Sequence, residues 1–597
     1  MSGAHVEVSG LVIAVDTPAG ERRIVDEVSF AIPRGEVLAL IGESGSGKTT
    51  IALSLLGHTR FGGRIAGGTI RIGETRVDRL DAAGLGALRG RRVSYVAQSA
   101  AAAFNPSRPI MAQVIEPLLV HRLAGRAEAE ARAIELFRAL ALPSPEEIGR
   151  RYPHQVSGGQ LQRLMAAMAL ITGPELVVLD EPTTALDVTT QVDVLRAFKD
   201  ALRRVGATAI YVSHDLAVVA QMADRIAVLN GGRLVEEGPA AELLAAPRTD
   251  YARTLFAAAR PKADAASPAP GDVALAASNL VAGYGQVQGG IPAIPVIDGV
   301  SFALRRGEAL GVIGESGSGK STLARVIAGL LPAASGEVRL AGKALSPALA
   351  GRSREQLRQV QLVFQNADTA LNPAQRVGEI LARPLALFHG LTGAAAQARV
   401  DELLDLIRLP RELAGRRSTE LSGGQKQRVN LARALAAEPD VLLCDEVTSA
   451  LDTVVGAAIL RLIDELRREL GFATVFISHD ISTVRAFCDQ VLVLYGGTAV
   501  EQAGRTAFAR GPHHPYTRLL LDSVPALERG WLERQPPREA VLREGEAGLC
   551  RFLPRCPVAI PGTCDRAAVP LREGDGAAWL CHHRPIALVA QERESMT

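Results

Sequence analysis

The sequence contains no long hydrophobic run and almost no net charge. No stretch approaches the roughly 18 consecutive apolar residues that a membrane-spanning helix needs. The 66 Lys and Arg residues nearly balance the 64 Asp and Glu residues, so the net charge of +2 gives no indication of a nucleic-acid-binding surface. The N-terminal segment MSGAHVEVSG lacks the charged start and apolar core of a secretory signal. We therefore expect a cytoplasmic chain that reaches a membrane only through partners.

Cysteine is scarce as well. Six cysteines in 597 residues do not indicate a disulfide framework in a cytoplasmic chain. The length, in turn, excludes a single ordinary hydrophobic core, because cores stop growing at about 250–300 residues. We expect two or more domains with a typical globular composition, 47% hydrophobic and 22% charged.

The two halves of the sequence share several motifs in the same order. Each half contains GESGSGK, then SGGQxQR, then an Asp-Glu pair after an apolar run, and finally SHD. Motifs cannot return in one order at nearly one offset by chance, so the chain is a tandem duplication of one domain type. The repeated segments are 35–50 and 307–322, 157–163 and 422–428, 180–187 and 445–452, and 212–215 and 477–480.

The repeat and the composition between its copies define the predicted domains. Residues 261–272 are rich in Ala and Pro and have no helical periodicity, which is typical of a short, partly extended linker. We place the first domain at residues 1–260, the second at 273–525 and a cysteine-bearing extension at 526–597.

Apolar runs alternate with helical patterns within each half. LVVLD and VLLCD are continuous apolar runs, as expected for strands buried on both faces of a parallel sheet. The segments at about 120–155 and 385–420 have helical spacing and few strand signals. The predicted fold class is therefore α/β, with a helical subdomain in each half.

The GESGSGK segments are predicted to bind phosphate. Their glycines allow backbone amides to turn towards phosphate oxygens, and the following helix adds its positive N-terminal end. Lys48 and Lys320 should reach the β- and γ-phosphates, while Thr49 and Ser321 supply hydroxyl ligands to magnesium. A glycine-rich turn without function is the alternative, which the duplication disfavours. The candidate residues are Gly42, Ser44, Gly45, Gly47, Lys48, Thr49 and Thr50, and Gly314, Ser316, Gly317, Gly319, Lys320, Ser321 and Thr322.

An acidic pair ends an apolar strand in each half and is predicted to face the phosphate-binding loop. The first acid, Asp180 or Asp445, would position magnesium, directly or through water. The second, Glu181 or Glu446, would polarise the attacking water as a general base.

Together these motifs resemble the ATP-binding cassette (ABC) family over residues 5–260 and 275–525. The resemblance implies two tandem ABC-type P-loop ATPase domains that use ATP and Mg²⁺. It identifies Gln98 and Gln365 with glutamine loops that contact magnesium, and His214 and His479 with switch histidines at the γ-phosphate. Asp187 and Asp452 match the loop that communicates across the dimer. The signature residues implied are Ser157, Gly159 and Gln160, and Ser422, Gly424 and Gln425.

In this family, nucleotide lies between the phosphate-binding loop of one domain and the signature of the other. The resemblance therefore implies two composite sites, and fusing the domains in one chain raises their effective concentration. One site joins Lys48, Asp180, Glu181 and His214 to Ser422 and Gly424; the other joins Lys320, Asp445, Glu446 and His479 to Ser157 and Gly159.

Three segments resemble a subfamily, the dipeptide and oligopeptide importer ATPases. The glutamine loops precede Q-x5-LNP-like patterns, although Phe104 replaces leucine in the first half, and GPHHPYTRLLLDSVP occupies residues 511–525. Nickel and glutathione importers share these features. The implied partners are two permeases and an extracytoplasmic solute-binding protein, with the chain at the cytoplasmic face of the inner membrane and no nucleic acid bound. The alternative is a soluble tandem ABC ATPase acting on ribosomes or DNA.

One aromatic residue distinguishes the halves. Aligning LVIAV with LVAGY places Val15 opposite Tyr284. The resemblance implies that an aromatic ring at this position stacks on adenine, which Tyr284 can do, whereas Val15 offers only apolar contact. An ordinary surface or core tyrosine is the alternative.

Four cysteines crowd into the C-terminal extension: Cys550, Cys556, Cys564 and Cys581. Thiolates at this density can converge on one metal centre, although the spacing lacks the paired C-x-x-C knuckles of common zinc sites. It resembles the extension of peptide-importer ATPases, some of which carry a four-iron–four-sulfur cluster with four-cysteine ligation. Zinc and unligated thiols remain alternatives. A structural role is expected for the centre, and Cys444 and Cys488 are predicted to be core residues.

Overall fold

The computed structural model describes residues 4–17, 20–60, 62–184, 186–259, 271–449, 451–535, 549–574 and 576–583. The predicted linker, residues 261–272, therefore lies almost wholly outside the described residues. The chain divides into two compact units. The first comprises Met1–Arg260, Asp452–Val454 and Pro525–Pro536, and the second comprises Pro261–Leu451, Val455–Val524 and Pro537–Thr597.

The first unit alternates strands and helices along the chain. Its strands are β1 (Val6–Thr17), β2 (Gly20–Ile32), β3 (Val37–Ile41), β4 (Gly63–Ile72), β5 (Thr75–Arg76), β6 (Val93–Val96), β7 (Leu176–Asp180), β8 (Thr208–Val212), β9 (Arg225–Asn230) and β10 (Arg233–Pro239). Its helices are α1 (Lys48–Ser54), α2 (Ala82–Leu88), α3 (Ala100–Ala103), α4 (Ile110–Val114), α5 (Glu116–Val120), α6 (Arg126–Ala139), α7 (Gly158–Leu170), α8 (Val188–Val205), α9 (Leu216–Met222), α10 (Ala240–Ala245) and α11 (Asp250–Ala258).

These strands form two sheets. An antiparallel sheet has the order β2-β1-β4-β5, and a second sheet has the order β10-β9-β3-β8-β7-β6. In the second sheet β3 is parallel to both β8 and β9, and β7 is parallel to β6 and β8. The carboxyl ends of β3, β7 and β8 therefore meet at one edge, where the loops after them come together.

The central strand β3 shows why its sequence is uniformly apolar. Leu38 and Leu40 join a core with β1, β2, β4 and α1, whereas Ala39 and Ile41 pack with α9, α10 and α11. Both faces of the strand are thus covered, and all five of its residues are buried. Burying each Leu or Ile side chain stabilises the fold by about 1.5–3 kcal/mol. The continuous apolar runs predicted as buried parallel strands have this physical cause.

The second unit repeats this arrangement. Its strands are β11 (Val273–Gln288), β12 (Ile291–Arg305), β13 (Ala309–Ile313), β14 (Ser335–Leu340), β15 (Lys343–Ala344), β16 (Val360–Val363), β17 (Val441–Asp445), β18 (Ala473–Ile477), β19 (Gln490–Tyr495), β20 (Thr498–Gly504), β21 (Leu571–Gly574) and β22 (Ala577–Leu580). Its helices are α12 (Lys320–Ala328), α13 (Arg354–Gln359), α14 (Ala367–Ala370), α15 (Val377–Pro384), α16 (Gly393–Leu406), α17 (Gly423–Leu435), α18 (Thr453–Leu470), α19 (Ile481–Phe487), α20 (Arg505–Arg510) and α21 (Pro515–Asp522). A short helix, α22 (Trp531–Arg534), follows in the stretch that belongs to the first unit.

The C-terminal extension adds strands to the second unit. The antiparallel sheet β12-β11-β14-β15 matches the one in the first unit, but the larger sheet has the order β16-β17-β18-β13-β19-β20-β22-β21. Strand β22 pairs antiparallel with β20, with Trp579 opposite Glu501. Trp579 is 2% exposed, and its Nε1 donates a hydrogen bond of 3.1 Å to the Pro512 carbonyl. The extension therefore contributes the last two strands at one edge of this sheet.

The predicted α/β class with helical subdomains is confirmed. The helical region of the first unit is longer than the predicted segment at about 120–155, because short helices already begin at Ala100. That of the second unit likewise begins before residue 385, with α14. Within the described ranges, none of the helices combines the length and the apolar character needed to cross a membrane.

Candidate nucleotide-binding sites

The glycine-rich loop of the first unit connects β3 to α1. A Cβ on Gly42, whose φ is 144°, would lie 2.1 Å from the Leu229 carbonyl oxygen, so only glycine fits there. Lys48 begins α1 and donates from Nζ to the carbonyls of Gly42 and Glu43, at 2.8 and 2.7 Å. Ser44 and Gly45 form the exposed tip of the loop. The lysine thus folds back over a loop whose tip is open to solvent.

The second unit builds the same loop between β13 and α12. Gly314 has φ 152°, and a Cβ there would lie 2.2 Å from the Leu494 carbonyl oxygen. Lys320 donates from Nζ to the carbonyls of Gly314 and Glu315, at 2.8 and 2.9 Å. Ser316 and Gly317 are exposed at the tip. The two loops therefore match in backbone strain and in lysine geometry.

A hydroxyl and a carboxylate meet beside each loop. Thr49 donates from Oγ1 to Asp180 Oδ1 at 3.0 Å, and Ser321 donates from Oγ to Asp445 Oδ1 at 3.0 Å. Such hard oxygen ligands are the kind that Mg²⁺ prefers. Burial raises the pKa of Asp180 and of Asp445 above the ordinary value, an effect that a bound cation would oppose.

The glutamate after each aspartate is held by two side chains. In the first unit, Glu181 lies 3.0 Å from His214 Nδ1 through Oε1 and accepts a 2.9 Å hydrogen bond from Gln98 Nε2 through Oε2. Burial alone would raise the pKa of Glu181, but the hydrogen bond and charge of His214, with Lys48, hold it below its ordinary value. Burial would lower the pKa of His214, but the hydrogen bond and charge of Glu181 raise it above its ordinary value. An ionised carboxylate beside a readily protonated imidazole results.

In the second unit the glutamine lies closer to the glutamate and the histidine lies farther from it. Gln365 Nε2 donates to Glu446 Oε2 at 2.6 Å, while His479 Nδ1 lies 3.7 Å from the same oxygen. His479 lowers the pKa of Glu446, and Glu446 raises that of His479. Glu181 and Glu446 also share an unusual backbone, with φ of 49° and 48°. Such strain in a non-glycine residue persists only where the surroundings fix it.

The signature residues lie at the start of another helix in each unit. Ser157 caps α7 by accepting from Gln160 N at 3.3 Å, and the Gln160 side chain accepts from Ser157 N at 3.1 Å. Ser422 and Gln425 form the same reciprocal pair at α17, at 3.4 and 2.9 Å. Both serines are exposed at a positive helix end, which suits an anion. Their pairing with the loop of the other half stays a prediction.

The second residue of each signature helix is a glycine that allows close helix packing. A Cβ on Gly159 would lie 2.2 Å from Thr190 Cγ2, and one on Gly424 would lie 2.6 Å from Val455 Cγ1. The small residue is therefore needed where the signature helix approaches the following helix.

Three tyrosines at these sites escaped the sequence-based predictions. Tyr95 donates from its hydroxyl to Asp180 Oδ2 at 2.8 Å. The hydroxyls of Tyr251 and Tyr516 accept from the backbone N–H of the second loop residue in their units, Glu43 at 3.2 Å and Glu315 at 2.8 Å. The available signal was a tyrosine at the same place in APRTDYARTLF and GPHHPYTRLLLDSVP, downstream of the SHD motif in both halves.

Tyr284 lies on β11 with 42% of its surface exposed. Its hydroxyl accepts a hydrogen bond of 3.4 Å from Arg325 Nη1, on the helix that follows the phosphate-binding loop. Val15, its counterpart on β1, is partly buried. An exposed ring tethered to α12 fits adenine stacking, which stays a prediction.

The cysteines fall into two groups. Cys444 and Cys488 are 0% exposed, which confirms them as core residues. In the extension, burial together with the nearby thiols of Cys550, Cys581 and Cys564 raises the pKa of Cys556 to about 12, so the four sulfur atoms lie in one neighbourhood. All four are free of disulfides. In the part of the chain that the structure describes, no set of three or more His, Cys, Asp or Glu is arranged to hold a metal ion, so the predicted iron–sulfur or zinc centre is not confirmed.

Fold and site together define two P-loop ATPase domains in one chain. The ABC transporter family model matches residues 25–184 and 297–449, and a model for the C-terminal region of oligopeptide/dipeptide transporters matches residues 500–564. The chain belongs to the ABC transporter family and is an ATPase of its peptide-importer subfamily.

Two curated relatives are similar over nearly their whole length. The glutathione import ATP-binding protein GsiA of Salmonella choleraesuis (strain SC-B67) is 36% identical over 580 residues, which cover 90% of this chain and 92% of the relative. GsiA of Escherichia coli (strain K12) is 34% identical over 583 residues, covering 91% and 92%.

Proposed function

We propose that this chain powers the uptake of small peptides by hydrolysing ATP for two partner permeases, which receive cargo from an extracytoplasmic solute-binding protein. The observation that carries the proposal is a complete set of phosphate-binding and carboxylate groups in each unit, combined with the peptide-transporter C-terminal region at residues 500–564. The names of the relatives, glutathione import proteins, support a peptide-like cargo. The chain would act from the cytoplasmic face of the inner membrane.

We propose the same division of roles in both units. The loop amides and Lys48 or Lys320 bind the phosphates, and neutralise charge as it develops on the transferred group. Thr49 with Asp180, and Ser321 with Asp445, would hold Mg²⁺, with Gln98 and Gln365 as further oxygen ligands. The metal would supply Lewis-acid stabilisation of the phosphate oxygens.

The glutamates are the proposed general bases. Their lowered pKa keeps Glu181 and Glu446 ionised at neutral pH, so each can accept a proton from water. His214 and His479 would orient these carboxylates and contact the γ-phosphate. The exposed serines Ser157 and Ser422 would complete the site of the opposite half, and Tyr284 would stack on adenine.

We also propose a metal centre at Cys550, Cys556, Cys564 and Cys581, an iron–sulfur cluster or alternatively zinc. The support is the number of cysteines and their shared neighbourhood, not a formed ligand geometry. Anaerobic purification followed by iron, sulfide and zinc analysis tests it. About four irons and four sulfides per chain are expected for the cluster. Stoichiometric zinc would instead identify a zinc site, and thiols without metal would refute both kinds of metal centre.

Copurification and reconstitution test the proposed cargo. The tagged chain should be recovered from membranes with two permease subunits, and its ATPase rate in proteoliposomes should rise when peptide-loaded binding protein is added. Glutathione, a dipeptide and nickel, supplied separately, distinguish the cargoes. Recovery with ribosomes or DNA in place of permeases would support the rival class of soluble tandem ATPases.

A further inference from the structure

An arginine of the C-terminal extension contacts the phosphate-binding loop of the second unit. Arg555 donates from Nη1 to Glu315 Oε2 at 2.7 Å and from Nη2 to Glu315 Oε1 at 2.9 Å. This is the two-pronged geometry in which a guanidinium binds a carboxylate most specifically. Glu315 is the second residue of the loop that begins at Gly314, although Arg555 lies 240 residues further along the chain.

Aromatic packing fixes the position of Arg555. The residue ends a 3-10 turn, Leu553–Arg555, and its guanidinium carbon lies 5.9 Å from the ring centroids of both Tyr495 and Phe552. Phe552 is 0% exposed and packs 5.3 Å from Tyr495 and 5.4 Å from Tyr516, centroid to centroid. Because Phe552 and Tyr516 are buried, this aromatic packing holds the guanidinium beside Glu315.

Glu315 is part of the loop itself. Its carbonyl accepts from Lys320 Nζ, and its N–H donates to the Tyr516 hydroxyl. The side chain is 16% exposed. An unpaired carboxylate at this position would repel a triphosphate, since like charges at short range in a partly buried site interact strongly. Arg555 removes that charge.

The first unit provides an internal comparison. Glu43 occupies the equivalent loop position. Its N–H donates to the Tyr251 hydroxyl, just as the N–H of Glu315 donates to the Tyr516 hydroxyl. Among the described residues, Glu43 has no ion pair, whereas Glu315 has Arg555. Burial, followed by nearby Asp452, raises the pKa of Glu43. The loops are alike in backbone, and among the described residues only the glutamate of the second loop is paired with an arginine.

We propose that Arg555 is a positioning residue for the second ATP site, which neutralises Glu315 and thereby makes ATP affinity at this site depend on the C-terminal extension. The inference rests on the proposed phosphate-binding role of Lys320 and is independent of the cargo. It gives the extension a function in the ATPase cycle, beyond adding strands to the sheet.

Binding of MgATP to the purified full chain tests the proposal. A Lys48→Ala/Glu446→Gln background weakens the first site and prevents hydrolysis at the second, so labelled ATP reports the second site. In this background Arg555→Met should raise the Kd for ATP about threefold to tenfold. Glu315→Gln should bind ATP at least as tightly as the background, and Glu315→Gln/Arg555→Met should restore most of the lost affinity. Arg555→Lys keeps the charge and should lose less than Arg555→Met.

Two controls separate the possible outcomes. Arg551→Met removes another arginine of the extension, one that contacts Gly496 and Asp298 and not the loop, and should leave the Kd within about twofold. Lys320→Ala should abolish binding; if it does not, the proposed site itself fails. If Lys320→Ala abolishes binding but Arg555→Met leaves Kd unchanged, the inference is overturned. Equal losses in Arg551→Met and Arg555→Met, or no rescue by Glu315→Gln, would also overturn it.

Discussion

Replacing the two proposed general bases, Glu181 and Glu446, by glutamine should separate ATP binding from ATP hydrolysis. Glutamine has the shape of glutamate but cannot accept a proton from water. In the first unit the amide can still contact His214 Nδ1, now 3.0 Å from Glu181 Oε1. The loop contacts of Lys48 and Lys320 do not involve the glutamate side chains. We therefore expect ATP affinity to survive in the Glu181→Gln/Glu446→Gln variant.

The magnitude follows from the role of a general base. Loss of such a group typically slows reaction by about 10²–10⁴-fold, which corresponds to roughly 2.7–5.5 kcal/mol in the barrier at 1.36 kcal/mol per factor of ten. Each single variant should retain about half of the turnover if the two sites act independently. A larger loss from one single variant would show coupling between the sites.

Steady-state ATPase rates and retention of labelled ATP after desalting measure the two effects. Glu438→Gln is a matched control, because Glu438 is exposed and its φ of 50° matches those of Glu181 and Glu446. It should hydrolyse ATP at the parent rate. Turnover near the parent rate in the double variant would refute the general-base assignment.

Three further predictions concern backbone strain, adenine binding and pH. Gly42→Ala should abolish nucleotide binding at the first site, because its Cβ would lie 2.1 Å from a carbonyl oxygen, whereas Gly86→Ala, which meets no atom within 4 Å, should bind normally in the same titration. Tyr284→Ala should raise the KM for ATP about twofold to tenfold and Tyr284→Phe should not, because stacking needs only the ring; equal KM values would contradict this. The pKa of His214 is raised and that of Glu181 is lowered. Their attraction therefore stabilises the fold fully between pH 4.5 and 6.5, the ordinary pKa values of glutamate and histidine. This stabilisation is lost as pH falls through the pKa of Glu181 or rises through the pKa of His214. Thermal unfolding of His214→Gln should differ most from the parent within this window, and a difference independent of pH would refute the pairing.

Local patterns in the sequence were sufficient to predict the fold class, and they picked out the lysine, hydroxyl and carboxylate that lie together beside each glycine-rich loop. Continuous apolar runs arise because both faces of β3 and its neighbours are covered. The first glycine of each phosphate-binding loop is needed because a backbone carbonyl from a neighbouring strand lies too close for a Cβ atom. The acidic pairs were located because strands of a parallel sheet place their carboxyl ends at one edge. Each of these signals is contained within about ten residues of sequence.

Contacts between distant residues could not be predicted in this way. Tyr95 reaches Asp180 across 85 positions, and Tyr251 reaches Glu43 across 208. Arg555 reaches Glu315 across 240. A single tyrosine or arginine carries no periodicity that identifies its partner, because the partner is decided by how the chain folds back on the sheet. The predicted convergence of the four C-terminal cysteines on one metal centre was subject to the same limit.

The duplication makes the differences between the halves informative. Two loops with the same glycine geometry and the same lysine contacts indicate that each half retains phosphate-binding chemistry. Three differences stand against this shared background. Tyr284 replaces Val15, and His479 lies 3.7 Å from its glutamate whereas His214 lies 3.0 Å from its own. Among the described residues, Arg555 contacts the loop of the second unit only. All three differences involve residues in or beside the predicted nucleotide-binding sites. Two sites built this way can both hydrolyse ATP while differing in affinity, and the extension then acts through the second site, because its arginine contacts that loop.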